Sequence, residues 1–125
     1  FCGNGCSAAD SHHLAAELVG KLSIARPGMA GLALTVDTSA LTAIGNDFGY
    51  EQVFSRQVQA LGRAGDVLVG ISTSGRSRNV VAAFEAARSL GIRTVAMTGA
   101  ARGPMAELAD VWLAAPHTET QKIQE

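Results

Sequence analysis

The chain has 125 residues, a length that suits one domain with a real hydrophobic core and leaves no room for a second. Hydrophobic residues make up 47 % and aromatics only 5 %, a balance that favours helices packed closely on a sheet over an aromatic-rich sandwich. Lys and Arg number 10 against 11 Asp and Glu, for a net charge of −1, which excludes a global field for a nucleic-acid backbone or an anionic membrane surface; any anion must be captured locally.

In chain order, Phe1-Cys2-Gly3 reads as the end of a buried strand and Asn4-Gly5-Cys6-Ser7 as the turn after it. From residue 8 to about 21, Leu14, Leu18 and the alanines recur at helical spacing, with Ser7 or Asp10 available as a cap. Arg26-Pro27-Gly28 breaks the chain, and residues 31–36 are an apolar run expected to form a short buried strand. Asp37-Thr38-Ser39 opens a short helix and residues 46–49 are expected to form a loop. Residues 51–61 are amphipathic, with Val53, Phe54, Val58 and Leu61 on one stripe. A strand over 67–71 runs into the polar turn 72–77, and a helix over 80–90 follows, capped by Gly91. Residues 92–97 and 111–114 are the last strands, with a short helix over 104–109 between them, and residues 118–125 open another helix. Such alternation with short connections predicts an α/β fold: a three-layer αβα sandwich, flavodoxin-like, around a parallel sheet of about five strands. No run approaches the ~20 apolar residues of a membrane span and no leader opens the chain, so the expected location is cytoplasmic.

Ligands of an open parallel sheet bind beyond the carboxyl ends of its strands, and two polar turns fall there. One is Asn4-Gly5-Cys6-Ser7; the other, Ser72-Thr73-Ser74-Gly75-Arg76-Ser77, holds four hydroxyls in six residues, more than one helix cap needs. Hydroxyls and free N–H groups at a helix start suit a phosphate monoester. There is no Walker loop and no G-x-G-x-x-G.

His13 and Glu17 are spaced by four, which puts both on one helical face with Cβ atoms ~6 Å apart. Imidazole plus carboxylate suits zinc or a similar ion. Alone, the pair reads as a surface contact; the polar turn at the head of its helix raises its standing. His12 lies roughly 100° round the same helix, and His117 is read as a solvated loop residue. Two cysteines, Cys2 and Cys6, make no framework, and no chemistry is assigned to them.

The runs 3–10 (Gly-Asn-Gly-Cys-Ser-Ala-Ala-Asp) and His13-Leu-Ala-Ala-Glu17-Leu18 resemble the signature of bacterial phosphoheptose isomerases, members of the SIS-domain family. The likeness continues through residues 37–49, Gly65-Asp66, Ile71-Ser72-Thr73-Ser74-Gly75 and Ile123-Gln124-Glu125, so it covers essentially the whole chain. It implies a single SIS domain over 1–125 and an aldose–ketose isomerase that converts sedoheptulose 7-phosphate to a manno-heptose 7-phosphate, the entry step to nucleotide-activated heptose. It also implies a zinc-dependent homotetramer with active sites between subunits. By the same resemblance Ser72, Thr73, Ser74 and Ser77 hold the phosphate, Asn4, Ser7, Asp47 and Gln124 meet the substrate, and His13, Glu17 and Gln124 are metal ligands. Glu17 is the residue expected to act as base.

Three departures stand out against that pattern. Cys6 replaces a glycine, where its side chain is expected to crowd the turn or alter its backbone. Gln121 stands where an aspartate is common near the substrate. The family's final helix also carries a histidine about two turns beyond Gln124, a metal ligand and acid/base partner, so the C-terminal helix is expected to be missing from this stretch, as is the N-terminal helical segment that the resemblance implies before Phe1. The competing reading is a non-catalytic SIS relative that binds a protein partner such as the replication initiator; such proteins generally lack the helix glutamate, which Glu17 supplies here.

Overall fold

The computed structural model describes residues 1–124. Strands β1 (Cys2–Gly3), β2 (Val67–Ile71), β3 (Arg93–Thr98) and β4 (Val111–Ala114) form one parallel sheet in the order β1-β2-β3-β4. Gly3 lies opposite Ile71, and Ile71 opposite Met97, which brings the carboxyl ends of the first three strands level. Around the sheet stand helices α1 (Cys6–Val19), α2 (Thr38–Phe48), α3 (Ser55–Leu61), α4 (Arg78–Ser89), α5 (Pro104–Leu108) and α6 (Thr120–Gln124), with a 3-10 turn at Tyr50–Gln52. None of the described helices is long and apolar enough to cross a membrane.

Period-two alternation decides the faces. Leu68 and Gly70 of β2 and Thr94, Ala96 and Thr98 of β3 are buried toward α4 and α5, where Phe54, Val80, Phe84 and Met105 complete the core. Gly70 sets the distance between the layers. A Cβ there would stand 2.5 Å from the Phe84 ring and 2.7 Å from Val80, so only glycine lets α4 lie this close. The alternate residues Val69, Ile71, Val95 and Met97 are half-buried on the opposite face, which α1 covers at its β1 and β2 end. Helix α4 ends as its sequence predicts. Gly91 takes φ 71, and Ile92 N–H reaches back to Ala87 O at 2.9 Å in a Schellman arrangement.

Among the described residues four strands form, against the expected sheet of about five. Residues 31–36 make no strand, because their backbone pairing is limited to Phe1, just before β1: Phe1 N donates to Leu32 O at 2.8 Å and Leu34 N to Phe1 O at 2.9 Å. Ala33 and Leu34 are nonetheless buried. One residue's N–H and C=O point to the same edge of a strand, so this segment runs along the side of β1 away from β2. Counted with the strands it gives the flavodoxin-like order 2-1-3-4-5, whose switch point lies between β1 and β2.

The loop expected at 46–49 is the last turn of α2. Asp37 caps that helix by accepting from Ala40 N at 2.9 Å, Leu41 and Ile44 pack against the core, and only Gly49, at φ 86, ends it. Asp47 therefore sits on a helix. The helix expected over 51–61 splits into the 3-10 turn and α3, and Leu61 is 54 % exposed rather than part of the buried stripe of Val53, Phe54 and Val58.

Candidate functional site

Because Gly3 and Ile71 are paired, the turns that follow them start side by side at the switch point. Each feeds a helix whose first N–H groups have no side-chain partner. Gly5 heads α1 with no capping hydrogen bond, so the cap expected from Ser7 or Asp10 does not form, and Ser7 lies within the helix. At α4 the N-cap Ser77 also makes no capping bond, and its hydroxyl shares a 2.9 Å hydrogen bond with Ser72 instead. Neither first turn carries an acidic residue. Helix α2, by contrast, is capped by the Asp37 side chain. Two positive helix ends thus open on one crevice, a placement that favours an anion.

The hydroxyl-rich turn is held firmly. Gly75 adopts φ 64 and donates to Ser72 O at 3.0 Å. From the next βα connection, Gly99 N donates to Thr73 O at 2.9 Å and Met105 N to Gly75 O at 3.2 Å. Ser74 Oγ accepts from Arg76 N at 3.2 Å. Ser72 is buried, Thr73 and Ser77 half-buried and Ser74 exposed, so the hydroxyls line a graded rim instead of pointing uniformly to water.

Along α1, His13 Nδ1 lies 4.0 Å from Glu17 Oε1, as their spacing predicts. A cavity of about 500 Å³ opens beside them between α1, the strand ends and α6. Of the residues expected in the site, Ser7, His13, Thr73 and Gln124 line it; Asn4, Glu17, Asp47, Ser72, Ser74 and Ser77 do not. Glu17 sits one helical turn beyond His13, with 33 % of its side chain exposed. Asp47 is exposed on α2, where it accepts from Asn46 Nδ2 at 2.7 Å. Asn4 turns toward α4 and exchanges two hydrogen bonds with Asn79.

Sequence reasoning passed over Asn79, Tyr50 and, as a lining residue, Asp10. The pairing of two asparagines 75 residues apart leaves no local signal, and only the adjacency of the two turns predicts it.

Cys6 does not crowd the turn. It is the first residue of α1, exposed, with no positive φ. Cys2 is fully buried, its thiol pushed up to about 12 by desolvation, which makes it inert. His12 and His117 are both exposed, and Gln121 is exposed on α6. As metal donors, His13 and Glu17 offer a nitrogen and an oxygen within reach of one ion, and Gln124 shares His13's cavity. This set fits part of a first-row divalent site. Among the described residues no group of three or more His, Cys, Asp or Glu gathers to complete it.

The comparisons with known proteins converge on one family. The SIS domain model matches residues 1–99. The chain is similar to the phosphoheptose isomerase of Akkermansia muciniphila, with 63 % identity over all 125 residues, and spans 66 % of that relative. Among solved structures, the phosphoheptose isomerase of Neisseria gonorrhoeae superposes with a TM-score of 0.91 at 55 % identity, over 98 % of this chain and 65 % of that one. That of Francisella tularensis superposes with a TM-score of 0.93 at 36 % identity, over 98 % of this chain and 66 % of that one. The chain thus spans just under two thirds of the length of the relatives it matches.

Proposed function

The chain belongs to the SIS domain family, and on that premise we propose that it forms the core of a cytoplasmic aldose–ketose isomerase. The reaction is conversion of sedoheptulose 7-phosphate to D-glycero-D-manno-heptose 7-phosphate, the first step toward nucleotide-activated heptose. The observation that carries this reading is one cavity lined both by Thr73 of the hydroxyl-rich turn and by His13 of the His13–Glu17 pair on α1. The 63 % identity to a phosphoheptose isomerase supports it.

In this reading the hydroxyls of Ser72, Thr73, Ser74 and Ser77 and the free N–H groups at the start of α4 bind the phosphate. Asn4, Ser7 and Gln124 orient the sugar. Glu17 acts as general base, taking a proton from C1 of the ketose while the C2 carbonyl oxygen gains one to form the enediol. A proton from the Glu17 carboxyl, exchangeable with solvent, is then delivered to C2, and loss of the C1 hydroxyl proton, which replaces the one taken up at the C2 oxygen, gives the aldehyde of the aldose. His13, Glu17 and Gln124 would hold a divalent ion, zinc in this proposal, which supplies Lewis-acid stabilisation of charge on the substrate oxygens. A carboxylate engaged by a cation is a weaker base, so Glu17 must be loosely held when it takes the proton. Asp47, exposed on α2 and outside the cavity, would meet the sugar in a homotetramer whose sites lie between subunits.

The test is direct. The full-length natural protein, incubated with sedoheptulose 7-phosphate in deuterated water, should yield the aldose with deuterium at C2. Failure to form any aldose in the presence of zinc would overturn the proposal.

A further inference from the structure

The asparagine pair at the switch point does more than join two turns. Asn4 Nδ2 donates to Asn79 Oδ1 at 2.9 Å, and Asn79 Nδ2 donates to Asn4 Oδ1 at 2.8 Å. The hydroxyl of Tyr50 donates to the same Asn4 Oδ1 at 3.1 Å. Three elements therefore converge on one carboxamide: the turn after β1, the first turn of α4 and the 3-10 turn that follows α2. Asn79 is 4 % exposed, Asn4 half-buried and Tyr50 63 % exposed.

A carboxamide has two acceptor positions on its oxygen and two N–H donors. At Asn4 both acceptor positions and one N–H are engaged, so a single N–H is its one unspent polar group. Turning the Asn4 amide alone by half a revolution would set NH₂ against NH₂ and oxygen against oxygen. Both reciprocal bonds would be lost, and a buried Asn79 would be left unpaired at substantial cost. We infer that Asn79 is a positioning residue, seconded by Tyr50, which fixes Asn4 as a hydrogen-bond donor toward an oxygen of the sugar beside the phosphate turn. This rests on the proposed reading in which Asn4 meets the sugar.

The experiment is a double-mutant cycle in the full-length natural protein. Asn4→Ala, Asn79→Ala and the double variant are compared with wild type on kcat/KM for sedoheptulose 7-phosphate, with inhibition by inorganic phosphate and the melting temperature recorded for each. Asn79→Ala should lose about tenfold in kcat/KM, Asn4→Ala as much or more, and the double variant no more than Asn4→Ala, because Asn79 acts through Asn4. Inhibition by phosphate, which reports the Ser72–Ser77 turn, should stay within about twofold, a pattern that general loosening of α4 would not give. Tyr50→Phe should lose only about two- to threefold. Should Asn79→Ala fold poorly, Asn79→Ser replaces it in the same cycle.

Losses that multiply in the double variant, or wild-type kcat/KM in Asn79→Ala, overturn the inference while leaving the isomerase reading intact. Absence of turnover in wild type instead overturns that reading, and the cycle is then scored on the Kd of sedoheptulose 7-phosphate by calorimetry. There non-additive losses support the assignment, and additive losses or no binding by wild type overturn it.

Discussion

On the proposed reading Glu17 carries the most chemistry per atom, yet local geometry alone says little for it. A His–Glu pair 4.0 Å apart on a solvent-facing helix is worth a few tenths of a kcal/mol as a helix contact. What raises it above that is the cavity that its partner His13 shares with Thr73 of the hydroxyl-rich turn. Glu17→Gln keeps the size and removes the base, so turnover should fall by about a thousandfold or more while Kd for sedoheptulose 7-phosphate changes by less than about threefold. Stopped assays for turnover and calorimetry for binding would check this, and near-normal turnover would remove Glu17 as base. These residues were legible because helical spacing fixes which side chains share a face. Asn79 was not, since its role depends on β1 and β2 lying side by side. Ser7, which lines the cavity, was not legible as an inner residue of α1, because Gly5 took the cap position that a serine would ordinarily hold.

At the scale of elements, α4 joins the site to the core. Its first turn has no side-chain cap, so its anchorage falls to the Asn79–Asn4 pair, to the buried stripe of Val80, Ala83, Phe84 and Ala87 and to its C-terminal cap. Gly91 at φ 71 is what that cap needs, and Gly91→Ala should cost about 1 kcal/mol, seen as a lower denaturation midpoint at unchanged m-value. On the proposed reading phosphate binds at the opposite end of α4. Saturating inorganic phosphate should therefore raise the melting temperature of wild type, and Ser72→Ala/Ser77→Ala should blunt that rise by breaking the 2.9 Å hydroxyl pair. An equal rise in both proteins would place the anion elsewhere. Strand and helix alternation made α4, β2 and β3 readable within a residue or two. The segment 31–36 misled because an apolar run signals burial, which Ala33 and Leu34 do show, whereas a strand also needs a partner long enough to pair with.

Across the whole molecule, the parallel sheet rests on packing at its centre and on polar ties at its edge, and the two respond to different conditions. Gly70 made the central packing recognisable only in three dimensions; its sequence position inside an apolar run does not reveal that Phe84 lies over it. At the edge, Asp110 binds the start of β4 to β3. Its Oδ2 accepts from Thr94 N at 2.7 Å and from Thr94 Oγ1 at 3.2 Å, and Arg93 Nε lies 3.7 Å away. The Thr94 backbone N–H foremost, opposed by partial desolvation and aided by the Thr94 hydroxyl and by Arg93 and Arg88, holds this carboxyl below its ordinary value of 3.8. A lowered folded-state pKa contributes stability that is fully present above 3.8 and is lost as pH falls through the lower folded value. Asp110→Asn should accordingly melt below wild type at neutral pH, and the gap should close as the pH is taken below 3.8. Melting curves of both proteins across that acid range provide the measurement, and a gap that stays constant would assign the loss to hydrogen-bond geometry instead of charge.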